Sequence, residues 1–131
     1  DDIIRHAEYY GVPFTMNPHF PLNTLAIMRG AMWALATEHI EPYNKAMFEA
    51  VWVEQKNVAD KKVIAEVLQA AGFVAEPILE AAGQPDIKQA LIEASGAAVE
   101  RGVFGAPTMF VDGQMHFGQD RIDWVRRALN E

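Results

Sequence analysis

Residues 102–121, GVFGAPTMFVDGQMHFGQDR, contain the point at which the period of the chain changes. Before Gly102 apolar residues recur at helical spacing; after Pro107 the segments TMFV and QMHF read as short strands with a period of two. Asp112-Gly113 joins them, and this dipeptide suits the two positive-φ positions of a tight hairpin turn. The chain is therefore a run of helices that ends in a hairpin and one more helix. A lone two-stranded hairpin is marginal in water, and APTMFV is apolar enough for an interior strand. Two architectures satisfy this: an all-helical bundle with an appended hairpin, or part of a sheet whose remaining strands lie outside these residues.

The helical part divides at its punctuation. Asp2 to Tyr10 is a helix ended by Gly11, with Ile3, Ile4 and Ala7 at helical spacing, so the chain is expected to begin mid-fold. Pro13, Pro18 and Pro21 keep residues 12–21 irregular. Asn23 then caps a long helix with Leu25, Met28, Met32 and Leu35 on its buried stripe, and Pro42 separates it from a helix over 43–55 that buries Met47, Phe48, Val51 and Trp52. After the polar break QKNVAD, Asp60 caps a helix carrying Val63, Ile64, Val67 and Leu68 that stops at Gly72. A short helix over 75–82 follows, then one from Pro85 through Ile87, Leu91, Ala94 and Ala98 to Gly102. The last helix, 119–129, buries Ile122, Val125 and Leu129.

Charge and composition exclude several functions. Eighteen acidic against eleven basic residues repel nucleic acid and anionic lipid, and no apolar run reaches the roughly 20 residues that cross a bilayer. With no cysteine there is no disulfide framework, thiol nucleophile or cysteine zinc site in these residues. His6, His39 and His116 lack metal-ligand spacing, so no metal is expected, and the six methionines read as core filler.

RGVFGAPTMFVDGQMHFGQDRIDWV resembles the carboxyl-terminal part of the 2-hydroxychromene-2-carboxylate isomerase family, kin of the kappa-class glutathione transferases and more distantly of the DsbA-type oxidoreductases. YGVPFTMNPHFPLNTL and MFEAVWVEQKNVAD resemble the same family in the same order. The resemblance implies an α/β, thioredoxin-like fold with a large inserted helical domain. Residues 1–101 would be mainly that insertion with its connections, and 102–131 the β-β-α end of the thioredoxin-like domain. The family begins with a βαβ unit bearing a catalytic serine in Ser-Pro-Tyr or Ser-Pro-Phe. The only serine here, Ser95, lies between Ala94 and Gly96 in a helix and reads as a packed small residue. No catalytic residue is therefore assigned within the chain, which is expected to be a piece of a longer protein and inactive alone.

The resemblance further implies a cis bond before Pro107, with the Ala106 N–H and C=O offered to an extended tripeptide, glutathione, by strand-like pairing. Gln119 and Asp120 would receive its γ-glutamyl end, free N–H groups of the first helical turn taking the carboxylate and Asp120 the ammonium. Asp120 is otherwise an acid placed against a helix dipole. Arg121 would pair with Asp123 or the cofactor. Trp52, Asn17 and Asn23, with His19, would line the cleft for a small aromatic substrate; in plainer readings Trp52 is core, Asn23 a cap and His19 a loop residue. The implied activity is a glutathione-dependent isomerisation linking 2-hydroxychromene-2-carboxylate with trans-o-hydroxybenzylidenepyruvate in cytoplasmic aromatic catabolism, by a homodimer with no nucleic-acid or membrane partner. The alternatives are a kappa-like glutathione transferase, a DsbA-type disulfide oxidoreductase with Cys-x-x-Cys upstream, and a non-catalytic helical interaction module.

Overall fold

The computed structural model describes residues 2–130. Seven α-helices and two strands follow in the order α1 (Asp2–Tyr10), α2 (Leu25–Ala36), α3 (Ile40–Trp52), α4 (Lys61–Ala70), α5 (Ala75–Ala81), α6 (Pro85–Glu100), β1 (Thr108–Val111), β2 (Gln114–Phe117), a 3-10 turn at Gln119–Arg121, and α7 (Ile122–Ala128). The chain separates into two compact units, one up to Leu91 and one from Ile92 onward, so the division falls within α6.

The first unit holds the core. Ala34 of α2, Tyr43, Met47, Ala50 and Val51 of α3, Ile64, Val67 and Leu68 of α4, and Ala75 and Ile78 of α5 are buried together with Val58. Asp60 starts α4 as expected: its carboxylate accepts from the Lys62 N–H at 2.8 Å. At the end of α4, Phe73 N–H donates to Leu68 O and Gly72 N–H to Gln69 O, the paired closure that a left-handed residue permits.

Three helix details differ from the expectation. The buried face of α2 is not the Leu25–Met28–Met32–Leu35 stripe; Leu25, Met28 and Leu35 are about half exposed, and Gly30 and Ala34 face the core. The cause is a close helix contact: Tyr43 lies against Gly30, where a Cβ would run into its hydroxyl, and that hydroxyl donates to Ile27 O at 2.8 Å. Small residues allow this approach and longer ones are turned outward. Second, α2 ends at Ala36 rather than at Pro42. Glu38 takes a positive φ of 62°, and His39 N–H and Glu38 N–H close the helix onto Ala34 O and Leu35 O. Pro42 sits in the first turn of α3, where no N–H is required. Third, Phe48 is 66% exposed instead of buried.

The second unit holds the hairpin. β1 and β2 are antiparallel, with Thr108 opposite Phe117 and Val111 opposite Gln114. Asp112 and Gly113 both have positive φ, 46° and 79°, as the turn requires. Pairing places Thr108, Phe110, Met115 and Phe117 on one face. There the Arg101 guanidinium lies 3.6 Å above the Phe110 ring centre, and Phe104 packs on Phe117 at 4.5 Å between centroids. α7 packs on β1, but its expected burial is not seen: Leu129 is 69% exposed, Trp124 and Ile122 are exposed, and Val125 is half-buried. Ser95, expected to be packed, lies on an exposed stretch of α6. Among the described residues of this unit none is buried, and β1 and β2 form the only sheet. No described helix is long and apolar enough to cross a membrane.

Candidate functional site

Within the first unit, α2 and α3 form a helical hairpin that opens on one side into a cavity of about 200 Å³. α2 contributes Ile27, Met28 and Ala31; α3 contributes Asn44, Met47, Phe48, Val51 and Trp52; the preceding loop contributes Phe20 and Leu22. The lining is apolar apart from Thr24, Asn44 and the Tyr43 hydroxyl, and the last is already spent on Ile27 O. Burial pushes the Tyr43 phenol well above its ordinary range, so it stays neutral and anchors the helix pair.

Trp52 is held in place by the proline-rich segment. Phe14 stacks on it at 5.6 Å and Phe20 lies tilted at 5.7 Å. The same segment satisfies the end of α3, whose last carbonyls have no helical partner. Thr15 N–H donates to Trp52 O at 2.6 Å, and Asn17 Nδ2 donates to Val51 O and Lys56 O, both at 2.9 Å. Asn17 Oδ1 in turn accepts from His19 N–H. Asn17 is 2% exposed with both ends of its amide engaged. The expected substrate residue Asn17 thus holds the loop to the end of α3, and a ligand would reach its amide only by breaking these bonds. Asn23 Oδ1 accepts from Leu25 N–H at 3.1 Å, so it caps α2 from one residue outside the helix boundary, and it is not on the wall of this cavity. His19 is exposed in its loop. Trp52 is the predicted substrate residue that does line the cavity.

The second unit carries the other predicted group. The Ala106-Pro107 bond is cis. Ala106 is exposed, and its N–H and C=O have no hydrogen-bond partner among the described residues. Gly105 lies under the Phe117 ring, where a Cβ would come within 2.7 Å, and Thr108 Oγ1 donates back to Gly105 O at 2.6 Å. Pro107 O accepts from Gly118 N–H, which extends the ladder by one bond and brings Gln119 and Asp120 to the proline end of the hairpin. Gly118 has φ 102°, and a Cβ there would stand 2.6 Å from Asp120 Oδ1. The side-chain atoms Gln119 Oε1 and His116 Nε2 are shielded from solvent and have no partner among the described residues, which is costly unless something supplies one. The helix start differs from the expectation: it opens as a 3-10 turn in which Arg121 N–H is used by Gly118 O. Arg121 pairs with Asp120 at 2.8 Å rather than with Asp123, which faces Arg126 at 3.6 Å.

Phe20, Met28, Phe48 and Asn44 are cavity residues that sequence reasoning did not select. Asn44, Phe48 and Val51 occupy positions i, i+4 and i+7 of α3, one helix face, so the signal was present. It was masked because an apolar face on a cavity and one on a core have the same period.

One unit thus carries a β-hairpin followed by a short helix, and the other a helical block with an apolar cleft. The DSBA-like thioredoxin domain profile matches residues 1–130, and the chain belongs to that family. A 2-hydroxychromene-2-carboxylate isomerase of Sphingobium xenophagum is 29% identical over 128 residues, covering 98% of this chain and 65% of the relative. Glutathione S-transferase kappa 1 of Homo sapiens is 33% identical over 131 residues, covering 86% of this chain and 58% of the relative. A solved 2-hydroxychromene-2-carboxylate isomerase superposes with a TM-score of 0.88 at 27% identity, over 98% of this chain and 63% of that one. The chain thus spans about three fifths of the length of these relatives.

Proposed function

We propose that the protein is a glutathione-dependent isomerase of the 2-hydroxychromene-2-carboxylate type, acting in cytoplasmic aromatic catabolism. The observation that carries this reading is the aromatic-walled cavity beside Trp52, whose volume of about 200 Å³ suits a substituted aromatic ring; an apolar cavity of about 150 Å³ already holds benzene. The likeness to isomerases in both sequence and backbone supports it.

The cofactor fits the chain's own groups. Ala106 offers one unpartnered donor and one acceptor for antiparallel pairing with a peptide. The orphaned Gln119 amide oxygen can accept from a ligand N–H. The exposed Asp120–Arg121 pair presents adjacent opposite charges to the zwitterionic γ-glutamyl end. Gly118 keeps the Asp120 carboxylate in place by lacking a side chain. Glutathione supplies a thiol that can add reversibly to an electron-poor double bond, so that the bond rotates before the thiol leaves. The cavity residues hold the substrate ring.

The second reading is a kappa-like glutathione transferase, favoured by the 33% identity to the human enzyme. Assay of the full-length protein with 2-hydroxychromene-2-carboxylate separates the two. Catalytic formation of the open isomer with glutathione undiminished is the expected result, whereas stoichiometric loss of glutathione into product supports transfer. Glutathione should also raise the melting temperature, the stabilisation growing as RT ln(1 + [L]/Kd). A protein that is neither stabilised by glutathione nor active on the substrate would overturn both readings.

A further inference from the structure

Besides Thr24 and the committed Tyr43 hydroxyl, the cavity has one polar side chain, Asn44, at the start of an apolar stripe. Asn44 precedes Phe48 and Val51 on the same face of α3, and all three line the space opposite Met28 and Ala31. Its amide makes no hydrogen bond among the described residues, unlike Asn17, Asn23 and Asn57, whose side chains all bond to backbone. Among the described residues Asn44 makes no capping bond, α3 having begun at Ile40, and the residue is exposed at the cavity. An amide offers two donors and an acceptor, so an oxygen substituent on a ring seated among Phe20, Phe48 and Trp52 would find its hydrogen bond there.

We propose that Asn44 is the specificity-determining contact of this cavity, selecting oxygen-substituted aromatic ligands over purely hydrocarbon ones of the same shape. The proposal rests on the reading of the cavity as the substrate site. Its consequence is a discrimination of a few-fold to tenfold, the range of one neutral hydrogen bond.

The test uses p-cresol and p-xylene, which share a shape and differ by a hydroxyl in place of a methyl group. Binding of each to the full-length protein is followed by calorimetry in wild type, Asn44→Leu and Asn44→Gln. Asn44→Leu is expected to weaken p-cresol by about threefold to tenfold while leaving p-xylene equal or tighter. Asn44→Gln, which keeps the amide, should recover part of the preference. Equal changes for both ligands, or none for either, would overturn the role of Asn44 while leaving the cavity as a ligand site. Failure of both ligands to bind the wild type would overturn the cavity reading together with the inference. Thermal melts of the variants establish that each is folded.

Discussion

Replacing Asn17 by alanine would strand three backbone groups at once: Val51 O, Lys56 O and His19 N–H. The bond to Val51 O is buried and the other two are partly buried, so the expected cost is about 2 kcal/mol, read from the shift in denaturant midpoint. A change below about 0.5 kcal/mol would show that water takes over these groups. Because the same loop sets Phe14 and Phe20 against Trp52, the variant should also bind aromatic ligands less tightly. Tyr43 makes a second residue-scale prediction. Its folded-state pKa is raised above the ordinary tyrosine value near 10. The stabilising contribution is thus complete below about pH 10. Above that the unfolded chain loses its proton first, and stability falls by roughly 1.4 kcal/mol per pH unit until the folded phenol also titrates. Urea unfolding from pH 8 to 11 checks this, and Tyr43→Phe should flatten the alkaline decline. Sequence reading selected both Asn17 and Trp52, yet only contacts with distant backbone reveal that one supports the other.

At the scale of elements, local chemistry accounts for most helix ends. Asp60 stands where a cap is needed and opens its helix, and Gly72 and Gly102 take the left-handed conformation that closes theirs. Glu38 was illegible for the same reason, since glutamate is not a residue that signals a left-handed closure. Packing faces were less readable than ends. The apolar residues of α2 surround the helix, so its period does not say which side meets α3; the Gly30–Tyr43 contact does. Gly30→Ala is expected to destabilise by about 2 kcal/mol despite alanine's better helix propensity, because the added methyl meets the Tyr43 ring and hydroxyl. Combining it with Tyr43→Phe should cost less than the sum of the single changes. Additive effects in the double-mutant cycle would refute a direct contact.

For the whole molecule the uneven distribution of burial has a dynamic consequence. The core lies entirely in residues up to Leu91, whereas no described residue from Ile92 onward is buried. Backbone amides of β1, β2 and α7 are therefore expected to exchange with solvent well before those of α3 and α4 in the 131-residue chain. Hydrogen exchange read by mass spectrometry checks this, and uniform protection across both units would contradict it. The family likeness was legible because its signals are local: Gly-Ala-Pro before a strand, Asp-Gly in the hairpin, Gly-Gln-Asp at the last helix. The cavity was not, since a substrate-facing and a core-facing apolar stripe are indistinguishable until the facing helix is placed. The order of elements and most of their ends follow from neighbouring residues alone, because backbone dihedral preferences act within a few residues. Which faces are buried and which polar groups are spent depends on packing between distant segments. Those outcomes depend on pairings such as Asn17 with Val51 and Lys56, 34 and 39 positions apart, whose energies exist only once the chain has brought them together.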